Sequence, residues 1–115
     1  MKTQVSDTEQ TVEQHRATER VAALRTSIDR IDEMLVSLIG ERQRLAKAVG
    51  TAKRTAGLPP VDASRELSVI QRIVALASDH GVNESEARHL ADQLIRLART
   101  TQGLPVVSRR EAAAA

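Results

Sequence analysis

The sequence predicts an all-α protein, and three observations lead to that fold class. Between Leu24 and Ala52, eight apolar residues recur at alternating spacings of four and three: Leu24, Ile28, Ile31, Leu35, Leu38, Leu45, Val49 and Ala52. That series is the heptad seam of one long helix. The 115 residues include no Phe, Tyr or Trp, so a core must be built from Leu, Ile, Val, Met and Ala. These side chains interdigitate between helices better than they fill a sheet deprived of its aromatic pairs. Finally, the later apolar residues again recur at threes and fours, in two shorter stretches divided by Gly81 and flanked by prolines.

Residues 1–17 are polar, rich in Thr, Gln and Glu, and show no sustained period, so they are expected to be disordered or frayed. The first helix is expected over residues 18–56. Gly57, Pro59 and Pro60 stop it, with Gly57 suited to the left-handed C-cap conformation. Asp62 or Ser64 caps a second helix carrying Leu67, Ile70, Ile73, Val74 and Ala77, which ends near His80 and Gly81. Asn83, with Glu86 three residues later, is a capping-box variant that opens a third helix through Ala87, Leu90, Leu94, Ile95 and Ala98. Gly103 and Pro105 end it. The expected organisation is one domain over residues 18–103, followed by a tail over 104–115.

A first helix of about 35 residues would span about 50 Å, whereas a compact chain of this length is only about 35 Å across. Two short helices cannot cover such a seam, so its uncovered half is expected to be buried against a second copy. The expected assembly is an intertwined homodimeric helical bundle of three-helix protomers, one helix long and two shorter.

Composition excludes several function classes. Without cysteine there is neither a disulfide nor a thiolate metal site, and His15, His80 and His89 share no ligand spacing. The formal charge of +2 is too balanced to demand a nucleic-acid partner, and base-stacking aromatics are absent. No stretch approaches the ~20 apolar residues of a membrane span, and residues 1–20 lack the apolar run of a signal peptide. A cytoplasmic protein with no nucleic-acid or membrane partner is the expectation.

The seam carries one exception, Arg42, in a slot where the heptad calls for an apolar residue. A guanidinium in an apolar stripe must be paired or it costs several kcal/mol (order of magnitude), so an anionic partner is expected there. Lys53 follows about three turns later, within roughly 20° of the same face. Arg25 lies about 25 Å before Arg42 along the axis and about 100° round it, so the two cannot share a ligand within one chain. Antiparallel packing of two long helices would instead carry Arg25 of one copy toward the middle of the other.

These residues stand in a longer pattern: Leu24-Arg25, Ile28-Asp29, Glu41-Arg42, Val49-Gly50-Thr51-Ala52-Lys53, Asp62 with Arg65-Glu66, and Gln102. Taken together, their spacing resembles the all-helical chorismate mutase family, in its short monofunctional intracellular form, from residue 24 to 102. The resemblance implies a Claisen rearrangement of chorismate to prephenate, on the route to phenylalanine and tyrosine, with no cofactor and no metal. It implies that Arg42 and Arg25, the latter contributed across the dimer interface, clamp the two substrate carboxylates. Lys53 and Gln102 would hydrogen-bond the ether oxygen, Glu66 the ring hydroxyl, and Asp62 and Arg65 would line that end of the pocket. The catalytic group would thus be Lys53, Gln102 and Arg42. Some short bacterial members of the family are activated by a complex with DAHP synthase, and if the resemblance extends so far Leu104-Pro105-Val106-Val107 would be the docking element.

The chemistry required agrees with this residue set. A pericyclic reaction uses no nucleophile and no proton transfer; it needs a folded substrate and stabilisation of charge growing on the ether oxygen. Arginine forks grip carboxylates in two places and fix orientation. One feature departs from the pattern: Ala98 stands where many relatives carry a small hydroxyl residue, which Arg99 or the tail would have to offset; Gln102, for its part, sits in the last helical turn, where fraying is expected. The competing reading is a non-catalytic helical dimerisation module, which accounts for the heptads but leaves Arg42, Lys53 and the Arg65-Glu66 pair unexplained.

Overall fold

The computed structural model describes residues 6–106. It contains three helices and, among the described residues, no strand: α1 (Asp7–Ala56), α2 (Ala63–Asp79) and α3 (Glu84–Thr101). Helix α1 begins at Asp7, not near residue 18, so residues 7–17, expected to be disordered, are helical. The cause is local. Ser6 Oγ accepts from the Glu9 amide at 3.2 Å while the Ser6 amide donates to Glu9 Oε2 at 3.4 Å, a reciprocal cap, and Asp7 and Glu9 sit favourably at the positive end of the helix dipole. No Gly or Pro interrupts the chain from there to Gly40. The expectation for residues 1–5 and for the tail beyond residue 106 falls outside the described residues.

All three helices stop by one device. Gly57, Gly81 and Gly103 have φ of +67°, +72° and +72°, a conformation that glycine adopts without a Cβ penalty. The residue after each returns its amide to a carbonyl five positions back: Leu58 to Lys53 at 2.9 Å, Val82 to Ala77 at 2.8 Å and Leu104 to Arg99 at 2.8 Å. Caps open the shorter helices as the sequence predicts. Asp62 Oδ1 accepts from the Arg65 amide at 2.9 Å, and Asn83 Oδ1 accepts from the amides of Ser85 and Glu86 at 2.9 and 3.3 Å.

The chain divides into two compact units, Met1–Gly40 and Glu41–Ala115. In the first, the apolar seam is open: Ile28 is 54% and Leu38 60% exposed, with Leu24, Ile31 and Leu35 close to half exposed. In the second, α2 and α3 pack on each other, and Ile70, Ile73, Val74, Leu94 and Ile95 on these helices are partly buried. Ala87 and Ala91 are fully buried on α3, small enough to let the helix backbones approach closely. No large side chain among the described residues is fully buried. Most of the large aliphatic residues described are thus more than a third exposed in a single copy, a state that marks an interaction face.

Candidate functional site

Within the second unit a cavity of about 460 Å³ opens between the C-terminal part of α1, the start of α2 and the end of α3. Its apolar wall includes Leu45, Val49, Leu58, Val69, Ile95 and Leu104. Its polar lining is Arg42, Lys53, Asp62, Arg65, Glu66, Arg99 and Gln102. Four cations against two carboxylates give the lining a formal charge of +2. Six of the residues singled out from the sequence thus meet here, brought together by α1 (Arg42, Lys53), the capped opening of α2 (Asp62, Arg65, Glu66) and the residue after α3 (Gln102). Arg25 belongs to the first unit and is exposed.

The hydrogen bonds show how each group is held. Arg42 Nη1 donates to the Leu94 carbonyl at 3.2 Å. Lys53 Nζ donates to Pro60 O at 2.9 Å and to Gln102 Oε1 at 3.1 Å, which leaves one of its three N–H groups for a ligand. Gln102 Nε2 donates to the Ala46 carbonyl at 2.9 Å, which likewise leaves one amide hydrogen. The end of α3 is thereby tied to α1, and the fraying expected at Gln102 is countered by this side-chain anchor together with the glycine stop at Gly103.

Glu66 is already engaged. Arg99 grips it in two places, Nε to Oε2 at 2.7 Å and Nη2 to Oε1 at 2.6 Å, with both side chains about a quarter exposed. The paired carboxylate raises the Arg99 pKa above its ordinary value, partly opposed by burial, so this cation is permanent. Arg99 Nη1 also donates to the Pro105 carbonyl at 3.1 Å, linking the tail to the cavity rim. By contrast, Arg42, Lys53 and Arg65 meet no carboxylate among the described residues. Among the described residues of this unit, no carboxylate supplies the anion expected opposite Arg42.

Sequence reasoning gave Arg99 only the part of offsetting Ala98, and it missed the carbonyls of Ala46, Pro60 and Leu94. The Glu66–Arg99 pair joins residues 33 positions apart on two helices, so no local spacing announces it. Ala98 lines the cavity as a plain methyl group. Among the described residues, no three His, Asp or Glu side chains are grouped so as to hold a metal ion.

The chain is similar to known proteins over most of the described residues. The profile of the family described as chorismate mutase type II matches residues 24–103. A chorismate mutase of Methanocaldococcus jannaschii is 40% identical over 67 residues, 58% of this chain and 68% of that protein. An intracellular chorismate mutase of Mycobacterium tuberculosis is 34% identical over 83 residues, 72% of each chain. The bifunctional chorismate mutase/prephenate dehydratase of Escherichia coli is 34% identical over 80 residues, 70% of this chain but only 21% of that longer protein.

Proposed function

The chain belongs to the chorismate mutase type II family, and from that premise we propose how its own residues turn chorismate into prephenate. The reaction is an intramolecular isomerisation in aromatic amino-acid biosynthesis: the ether C–O bond breaks as a C–C bond forms across the ring. The observation that carries the reading is the set of three cations, Arg42, Lys53 and Arg65, lining one cavity without a carboxylate partner among the described residues. A cavity of net charge +2 matches a dicarboxylate, and its apolar wall of Leu45, Val49 and Ile95 suits a hydrocarbon ring.

In this reading Arg42 grips one substrate carboxylate, and Arg25 of the partner subunit grips the other. Fixing both ends holds the enolpyruvyl arm over the ring, so that little orientational freedom is left to lose on the way to the transition state. Lys53 and Gln102 turn their remaining N–H groups to the ether oxygen. Charge accumulates there as the bond stretches, so these donors bind the transition state more tightly than the substrate. Glu66 accepts the ring hydroxyl, its orientation fixed by Arg99, and Asp62 and Arg65 close that end of the pocket. An acceleration of about a millionfold requires only ~8 kcal/mol, within reach of two or three such contacts of ~3 kcal/mol each.

The homodimer is part of the proposal. The open seam on the first unit supports it, since a second copy of the same face would cover Leu24, Ile28, Ile31, Leu35 and Leu38 together. The functional domain is taken as residues 18–103. A cytoplasmic location is consistent with the finding that no helix among the described residues is long and apolar enough to cross a membrane. DAHP synthase remains a proposed activator: Leu104 lines the cavity and Pro105 is held by Arg99, so a protein docking on the tail would act on the cavity wall. The test is loss of chorismate absorbance on adding purified protein, alone and with the synthase. No loss in either case refutes the function, and equal rates refute the activation.

A further inference from the structure

Gly50 differs from the glycines that end the helices. Gly57, Gly81 and Gly103 have positive φ and open space where a Cβ would stand. Gly50 lies inside α1 with ordinary helical backbone, is the one buried residue of that helix, and faces the Gln102 side chain. A Cβ built on Gly50 would fall 2.9 Å from Gln102 Cγ, 3.4 Å from its Cβ and 3.5 Å from its Cδ. Carbon atoms in ordinary contact sit at about 3.5–4.0 Å, so the glutamine stem would have to move by more than half an ångström, roughly. Helix geometry does not demand glycine here, and helix propensity argues against it. What the missing methyl provides is room for one side chain.

We propose that Gly50 is a positioning residue for Gln102. Its bare Cα surface lets the glutamine stem lie flat across α1, so that the carboxamide meets the Ala46 carbonyl at 2.9 Å and Lys53 Nζ at 3.1 Å at once. Pushed outward, the carboxamide loses this double registration, and with it the fixed direction of the amide hydrogen reserved for the ether oxygen. Gly50 touches no substrate and acts through Gln102. The inference rests on the role of Gln102 proposed above.

The experiment is a double-mutant cycle of Gly50→Ala and Gln102→Ala, with kcat and KM for chorismate, circular dichroism and thermal melting for each protein. Gly50→Ala is expected to keep its helix content and melt close to the parent, because the better helix propensity of alanine offsets the hydrogen bonds that Gln102 gives up. It should lower kcat about tenfold or more with KM little changed, the signature of an interaction made in the transition state. In the Gln102→Ala background, where the obstructed side chain is gone, the same substitution should have no further effect on kcat. Parental turnover in Gly50→Ala, or an equal loss in both backgrounds, overturns the proposal while leaving Gln102 in its role. Parental turnover in Gln102→Ala removes Gln102 from the site, and the proposal with it. If Gly50→Ala melts lower and loses helix, the glycine serves packing, and the proposal is likewise overturned.

Discussion

Replacing Lys53 by methionine separates catalysis from folding at this site. The unbranched stem is kept and the ammonium is removed, so packing along α1 should survive. The fold loses the hydrogen bonds to Pro60 O and Gln102 Oε1, each with a net value of about 0.5–1.5 kcal/mol, so stability should fall by about 1–3 kcal/mol. The transition state loses a preorganised charge beside the ether oxygen, for which about 3–4 kcal/mol, or 10²–10³ in turnover, is the usual magnitude. The catalytic loss should therefore exceed the structural one. Continuous measurement of chorismate absorbance gives the first quantity and a urea titration followed by circular dichroism gives the second. Turnover within about threefold of the parent, equivalent to about 0.7 kcal/mol, would refute the assignment, since no charge-stabilising group is worth so little.

Arg99→Ala should lower stability by about 1–2 kcal/mol, read as a shift of the urea midpoint, because it unpairs Glu66 and releases the Pro105 carbonyl; an unmoved midpoint would mean that the ion pair contributes nothing. Ala98→Ser restores a hydroxyl to the cavity wall and should lower KM by about threefold to tenfold, the worth of one added hydrogen bond; an unchanged KM places position 98 away from bound substrate. Arg25→Ala and Lys53→Met are each expected to be nearly inactive, yet mixed in equal amounts and allowed to exchange subunits they should recover about a quarter of parental activity, since half the dimers are then mixed and each holds one intact site. No recovery would show that Arg25 acts within its own chain or not at all.

The helix boundaries were legible because their signals are local. Gly57 with Pro59 and Pro60, Asp62 before Arg65, and Asn83 before Glu86 each act within a few residues, and each stops or opens a helix as read. The start of α1 was equally legible in principle: Ser6 with Glu9 three residues on is a capping box, overlooked because the polar stretch behind it has no apolar period. The convergence of Arg42, Lys53, Arg65, Glu66 and Gln102 on one cavity could be drawn from spacing only through resemblance to a family. Periodicity alone gives each helix a face but does not say which faces meet. The Glu66–Arg99 pair and the carbonyls holding Arg42, Lys53 and Gln102 depend on the mutual setting of α1, α2 and α3, which no short window encodes. The cramped space at Gly50 is of the same kind.

The aliphatic packing of these helices has a consequence in the economy of the cell. The partly buried residues of α2 and α3 include Ile70, Ile73, Val74, Leu94 and Ile95 but no aromatic ring, and no codon for this sequence calls for phenylalanine, tyrosine or tryptophan. Ribosomes starved of those three amino acids can still translate it without stalling for want of them. Over these 115 residues, a catalyst that leads toward phenylalanine and tyrosine is thus encoded without either of its end products.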